Sequence, residues 1–188
     1  NSDLRFRDAN LEEAEELIHP KFGHHEVLPL SNHKHHFQVL QTKGGYALRV
    51  DGETIGSWAY AGNHFLSGKF SMQLLQKITG SNEDDWMAVL HAAGVSNGQR
   101  CMIFFGDSGN GKSTLSAILM ANGLDVLADD FLPVAQQSGL VCPFPAAISI
   151  KTKAYELLLN LFPELEKSPE ISNPSGKTFR YLPNKQQM

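Results

Sequence analysis

The sequence predicts an α/β fold with a small antiparallel β segment in its N-terminal half. Three observations predict it. Residues 35–62 contain three short runs of aromatic and β-branched residues separated by turn dipeptides. Residues 100–105 form an apolar run typical of a buried strand, and residues 112–123 have the apolar spacing of a helix that ends on glycine. A strand, loop and helix in succession are typical of α/β proteins.

Composition limits the functions that the chain can have. Its 188 residues include 16 Lys and Arg against 20 Asp and Glu, and a net charge of −4 argues against a broad surface for nucleic acid or anionic membranes. No apolar run reaches the roughly 18 residues of a membrane span. Cys101 and Cys142 lie in apolar surroundings without metal-ligand spacing, so we expect reduced thiols and a cytoplasmic protein. Formation of a homo-oligomer is left open.

The N-terminal half is expected to form a helix, a β meander and a second helix. Residues 8–20 have the cap, acidic first turn and terminal proline of a short helix. The meander turns at Gly44–Gly45 and Asp51–Gly52, and residues 65–80 form a helix that closes at Gly80. We place this segment at residues 1–85 and a core at residues 86–188, and expect one compact domain overall.

Five histidines lie close together in a polar part of the N-terminal half. Imidazole is a common metal ligand, but no carboxylate or cysteine stands at ligand spacing around them. We therefore favour a solvated surface over a metal site. The residues are His24, His25, His33, His35 and His36.

The segment "GDSGNGKSTL", residues 106–115, carries the strongest functional signal. Gly106, Gly111, Lys112 and Ser113 match the P-loop pattern GxxxxGK[ST], between the predicted strand "RCMIFF" and the predicted helix "KSTLSAILMANG". In that helix Leu115, Ile118 and Leu119 form an apolar stripe.

This pattern predicts a nucleotide site for a physical reason. Glycines let backbone amides approach phosphate oxygens closely, and the following helix points its positive end at the same anion. Lys112 adds a positive charge at the β- and γ-phosphates, and the Ser113 hydroxyl is a ligand for Mg²⁺. The predicted nucleotide-binding residues are Gly106, Asp107, Ser108, Gly109, Asn110, Gly111, Lys112, Ser113 and Thr114.

Two acidic residues and a histidine are candidates for the remaining chemistry. Residues 124–127 predict a buried strand that ends at Asp129 and Asp130, on the side where α/β sheets bind ligands. An isolated Asp-Asp pair is more often a solvated turn, but the nearby P-loop pattern favours Mg²⁺ coordination. His91 ends an apolar run, and Asn97–Gly98 predicts a turn before the P-loop strand. Taken alone, His91 is more typical of a core histidine.

These residues resemble the bacterial HPr kinase/phosphorylase catalytic domain and related HPr-kinase-like proteins. The resemblance rests on His91, 15 residues before Gly106, on the loop "GDSGNGKS", and on the pair that starts at Asp129, 23 residues after Gly106. It implies a P-loop core like that of HPr kinases and phosphoenolpyruvate carboxykinases. In this resemblance Asp130 is the base that takes the proton of an acceptor serine, while Asp129 and Ser113 hold Mg²⁺. His91 orients the carboxylates, and Lys112 binds the phosphates.

The chain departs from the HPr enzymes at two points. Thr114 stands where they usually carry glutamate, and no "RGLGI"-type segment follows. The downstream sequence "CPFPAAISIKTKAYELLLNLFPEL" instead resembles stand-alone HPr-kinase-like kinases, including those of ribosomal-peptide gene clusters. HPr is therefore in doubt as the substrate.

The C-terminal third gives weaker signals. Lys151 and Lys153 follow the strand-like "AISI", and Arg180 lies in the strand-like "KTFRYLP". Basic groups near a γ-phosphate stabilise the charge of the transition state, although solvation is the favoured role of each one singly. Residues 166–177 are rich in Ser, Pro and charge, which predicts a loop.

The expected function is a phosphotransferase that uses Mg²⁺ and ATP. It would phosphorylate a hydroxyl, with serine favoured, on a peptide, small protein or small molecule that the sequence does not identify. Two alternatives stay open. One is a nucleotide-binding regulatory or assembly module without transfer activity, and the other is an enzyme like phosphoenolpyruvate carboxykinase.

Overall fold

The computed structural model describes residues 2–7, 18–25, 34–172 and 176–184. The chain divides into two compact units, Asn1–Asn82 and Glu83–Met188. Both units mix helices with small sheets, and the sheets are antiparallel apart from one pair of strands in the first unit. The mixed α/β class predicted from the sequence is confirmed. Among the described helices, none is both long and apolar enough to cross a membrane.

The first unit contains a four-stranded sheet. In sheet order its strands are β1 (Ser2–Arg7), β2 (His35–Thr42), β3 (Gly45–Val50) and β4 (Glu53–Ala59). Strands β2, β3 and β4 form the predicted antiparallel meander, with turns at residues 43–44 and 51–52. Strand β1, which was not predicted, pairs parallel to β2.

One long helix packs on this sheet. Helix α1 (Asn63–Thr79) ends at Gly80, which has left-handed backbone and donates its N–H to the Gln76 carbonyl, as the sequence predicted. Its buried Phe70 packs against Phe37 of β2, with 5.3 Å between ring centroids. Most of the helix predicted at residues 8–20 lies outside the described residues, although residues 18–22 are helical.

An acidic turn residue connects the sheet to α1. Asp51 Oδ2 accepts hydrogen bonds from Lys77 Nζ at 2.7 Å and from His35 Nδ1 at 3.0 Å, and His36 N–H donates to Asp51 Oδ1. Partial desolvation raises the pKa of Asp51, but these contacts outweigh it and hold the pKa well below its ordinary range. The expected solvated histidine surface is wrong for His24, because its Nε2 is buried, and this burial and then neighbouring His25 lower its pKa to about 4. His33 lies outside the described residues.

The described residues of the second unit form three small sheets and two α-helices. Its strands and helices, in chain order, are β5 (Trp86–Leu90), β6 (Ala93–Ser96), β7 (Cys101–Phe104), α2 (Lys112–Ala121), β8 (Asp125–Ala128), β9 (Leu132–Ala135), β10 (Ile148–Lys151), α3 (Thr152–Leu159), β11 (Ile171–Ser172) and β12 (Thr178–Leu182). The described strands pair in the orders β7-β6-β8, β5-β9 and β10-β12-β11.

The central three-stranded sheet positions the candidate site. Strands β7 and β8 both pair antiparallel with β6, so they run in the same direction. Their carboxyl ends therefore meet at one edge of the sheet, where β6 begins. The glycine-rich loop of residues 106–111 follows β7 at this edge, and Asp129 follows β8.

Helix α2 covers one face of that sheet and contributes to the core of the unit. It packs on β6, β8 and β10, and its Ala117 is fully buried. The other residues of this core are Val95, Val126, Ile148, Ile150, Leu158, Phe162, Leu165 and Leu182.

Several elements differ from the sequence prediction. Leu115 is 41% exposed and does not share a buried stripe, because α2 instead turns Ser116 and Ala117 inward. The apolar run that His91 was expected to end is strand β5, which ends at Leu90, and the chain bends at His91 and Ala92 before β6 begins in a different sheet. The loop expected at residues 166–177 includes strand β11, which pairs with β12.

Gly94 and Gly68 give a matched test of the packing. A Cβ at Gly94 would lie 2.6 Å from Cδ1 of the fully buried Leu132, whereas a Cβ at Gly68, inside α1, meets nothing within 4 Å. Gly94→Ala is expected to lower the free energy of unfolding by about 1–3 kcal/mol. Gly68→Ala is expected to raise it by about 0.5–1 kcal/mol. Urea unfolding measures both, and wild-type stability of Gly94→Ala would contradict the close contact.

Candidate functional site

The glycine-rich loop folds into a tight turn at the start of a helix. Its three glycines have φ between 87° and 149°, a region that side chains rarely adopt, and Asn110 N–H donates to the Asp107 carbonyl at 3.2 Å. Gly111 is the N-cap of α2, and none of the described side chains caps this helix start. The first amides of α2 and the positive end of its dipole are therefore available to an anion.

Lys112 holds its ammonium group inside the loop. The side chain is only 8% exposed, and Nζ donates to the Gly106 carbonyl at 2.7 Å and to the Asp107 carbonyl at 3.4 Å. Both acceptors are neutral, so these contacts leave the positive charge uncompensated. An anion bound against the loop would meet this charge directly.

Asp129 connects three elements through one carboxylate. The residue is 2% exposed, and its Oδ2 accepts a hydrogen bond from Ser113 Oγ at 3.0 Å and another from Ser149 N–H at 3.0 Å. The carboxylate thus joins the end of β8 to the first turn of α2 and to the backbone of β10. Its second oxygen, Oδ1, is buried, and no described residue donates to it.

The surroundings of Asp129 disfavour its negative charge. Burial is the main cause and the neighbouring Asp130 carboxylate the second, and together they raise the pKa of Asp129 to about 7. The hydrogen bonds from Ser149 and Ser113 and the charge of Lys112 oppose this shift only in part. A carboxylate in this position gains stability from a proton or a cation.

The residues present fit a magnesium ion. Mg²⁺ takes oxygen ligands and commonly binds through one or two protein groups together with water and substrate phosphates. Asp129 supplies a buried oxygen without a donor, and the Ser113 hydroxyl lies on the same carboxylate. Over the described residues, no group of three or more His, Cys, Asp or Glu side chains could hold a metal by itself. A metal here would thus depend on the nucleotide for further ligands.

Asp130 and His91 form the exposed side of the site. The Asp130 side chain is 53% exposed, and its Oδ1 lies 3.9 Å from His91 Nδ1. The structure therefore brings His91 beside the acidic pair, as the sequence predicted. This separation of 3.9 Å exceeds hydrogen-bond distance, so the two described residues are neighbours without a direct hydrogen bond.

The basic residues of the C-terminal third separate into two groups. Lys151 Nζ donates to Ser108 Oγ at 2.8 Å, which places a second ammonium group at the loop. Arg180 instead pairs with Glu170 at 3.5 Å and lies over the Tyr155 ring, 4.8 Å from its centroid. Lys153 is exposed on α3.

Two residues near Asp129 were not predicted from the sequence. Ser149 acts through its backbone N–H, a group that every residue except proline has, so no sequence signal identifies it. Tyr181 lies opposite Ser149 in the β10–β12 pair. Burial raises the pKa of Tyr181, as do the charges of Asp130 and Asp129, so its phenol stays neutral beside the acidic pair.

No protein-family model, curated protein or solved structure matches this chain. The resemblance to HPr kinases consequently remains a prediction from the residues quoted above. The chemistry and geometry of the site itself are therefore the basis for inferring a function.

The raised pKa of Asp129 predicts a pH-dependent stability. A carboxyl group whose pKa is raised by folding favours the folded state at low pH, and this contribution is lost as pH rises from about 4 through about 7. Asp129→Asn removes the titration. Relative to wild type, this variant should therefore gain stability by a few kcal/mol between pH 5 and pH 8.

Thermal unfolding in the presence of a chelator measures this difference. Asp125→Asn, at the exposed start of β8, is the control for the loss of an aspartate charge outside the core. A constant difference between Asp129→Asn and wild type over this pH range would contradict the burial of a charged carboxylate.

Proposed function

We propose that the chain is a Mg²⁺-dependent phosphotransferase with a P-loop core of the HPr-kinase type. It transfers the terminal phosphoryl group of ATP to a hydroxyl, with serine favoured, on a peptide, small protein or small molecule. The single observation that carries this proposal is the hydrogen bond from Ser113 to the buried carboxylate of Asp129, directly after a GxxxxGKS loop. This contact joins a phosphate-binding pattern to an acidic group suited to a cation.

The loop and Lys112 would bind the nucleotide phosphates. The amides at the start of α2 donate to phosphate oxygens, and Lys112 exchanges the loop carbonyls for an anionic partner. Mg²⁺, when bound with the nucleotide, neutralises phosphate charge, and Ser113 with Asp129 are the residues that would hold it.

Asp130 is suited to act on the acceptor because it is the exposed member of the pair. Its carboxylate takes the proton of the acceptor hydroxyl while the oxygen forms a bond to the γ-phosphorus. The bond from that phosphorus to the β-phosphate oxygen breaks, and ADP leaves with its electron pair. The imidazole of His91, with Nδ1 3.9 Å from Asp130 Oδ1, positions the Asp130 carboxylate and is its polar neighbour.

Substitution of Lys112 tests the nucleotide site. Lys112→Met keeps most of the length of the side chain but removes the charge, so affinity for Mg²⁺-ATP should fall by about ten- to a hundredfold. The thermal midpoint should change little, since the lost partners are carbonyls of an exposed loop. Isothermal titration calorimetry measures the affinity, with Lys167→Met at an exposed position as the control. Undiminished ATP binding by folded Lys112→Met would refute the site.

Substitution of Asp130 separates transfer from binding. Asp130→Asn should bind Mg²⁺-ATP nearly as well as wild type while transfer slows by about 10²–10⁴, the usual contribution of a general base. His91→Ala should change in the same direction by a smaller factor, because it acts through Asp130. Transfer of label from γ-³²P-ATP to a library of serine-containing peptides provides the assay.

Two results of this assay would count against the proposed chemistry. Wild-type transfer by Asp130→Asn would remove that residue from the role of base. A wild-type chain that binds ATP but labels no peptide and consumes no ATP in the presence of small hydroxyl compounds would favour the nucleotide-binding module.

A further inference from the structure

Lys151 lies where a strand meets the glycine-rich loop. It is the last residue of β10, and its Nζ donates to Ser108 Oγ at 2.8 Å across 43 positions of sequence. We infer that Lys151 is a second phosphate-binding cation, which exchanges Ser108 for the terminal phosphate of a nucleoside triphosphate. This inference rests on the proposed function and extends it to a residue that selects triphosphate over diphosphate.

The alternation of β10 fixes the direction of Lys151. Successive side chains of a strand point to opposite faces, and Ile148 and Ile150 of this strand are both buried in the core. Ser149 and Lys151 therefore share the other face. Because Ser149 N–H donates to Asp129 Oδ2, that strand is held against the acidic side of the candidate site.

The charge of Lys151 is not neutralised within the described residues. Its ammonium group donates one hydrogen bond there, to the neutral hydroxyl of Ser108, and no described carboxylate forms an ion pair with it. A hydrogen bond from ammonium to hydroxyl is weaker than one to an ionised phosphate, so exchange of partners is favourable.

Two ammonium groups thus approach the loop at different points. Lys112 contacts the carbonyls of Gly106 and Asp107 from within the loop, and Lys151 reaches Ser108 from β10. Ser149 of β10 also donates its N–H to Asp129, the proposed Mg²⁺ ligand. A phosphate placed between the loop and β10 would contact Lys151, and the inference assigns this position to the terminal phosphate of ATP.

Calorimetric titration of the full chain with Mg²⁺-ATP and Mg²⁺-ADP tests this assignment. Lys151→Met should lower the affinity for ATP by about tenfold or more and the affinity for ADP by less than about threefold. Lys151→Arg keeps the positive charge and should retain most of the preference for ATP. Lys153→Met is the matched control, because Lys153 is exposed two residues further along, and it should bind both nucleotides as wild type does.

Each remaining outcome overturns the assignment. Unchanged ATP affinity in Lys151→Met, or an equal loss for ATP and ADP, excludes a contact with the terminal phosphate. Equal behaviour of the Arg and Met variants excludes the charge as the cause. If wild type and Lys153→Met bind neither nucleotide, the proposed function fails and this inference fails with it. If wild type binds ATP but Lys151→Met gives one of the contrary results above, only the role of Lys151 is overturned.

Discussion

The carboxylate of Asp129 is the constraint on which the rest of the candidate site depends. One oxygen accepts from Ser113 at the start of α2 and from the backbone of Ser149 in β10. These three attachment points come from parts of the chain separated by 16 and 20 residues. A single carboxylate oxygen thus joins the end of β8, the first turn of α2 and the backbone of β10.

This arrangement costs stability and therefore needs a firm core beneath it. A buried carboxylate with one oxygen lacking a donor is unfavourable, and the neighbouring Asp130 charge adds to the cost. Val126 lies in β8, three residues before Asp129, and Ile148 and Ile150 flank Ser149 in β10. These three apolar residues are buried in the same core. Packing of these apolar residues keeps the polar groups in contact, although burial of the polar groups is itself unfavourable. Such local strain is typical of functional sites.

The sequence identified the parts of the site whose chemistry is local. The GxxxxGKS spacing, the flanking strand and helix, and the acidic pair after a strand can each be recognised within about ten residues, and the structure places them at one sheet edge. The meander and helix α1 were also predictable, because turn dipeptides and apolar spacing act locally. Contacts between distant strands were not. The opposition of Tyr181 and Ser149 depends on strand register, and the approach of Lys151 to Ser108 depends on how β10 packs beside the loop.

The two aspartates illustrate how the backbone assigns different roles to identical side chains. The chain leaves β8 after Ala128 and bends at Asp129 and Asp130, so the two neighbouring carboxylates enter different environments. Asp129 turns inward, where Ser113 and Ser149 fix it and burial disfavours its charge. Asp130 turns outward beside His91, where solvent and a second molecule can reach it. The proposed roles of metal ligand and general base would need these two environments, and one peptide bond separates them.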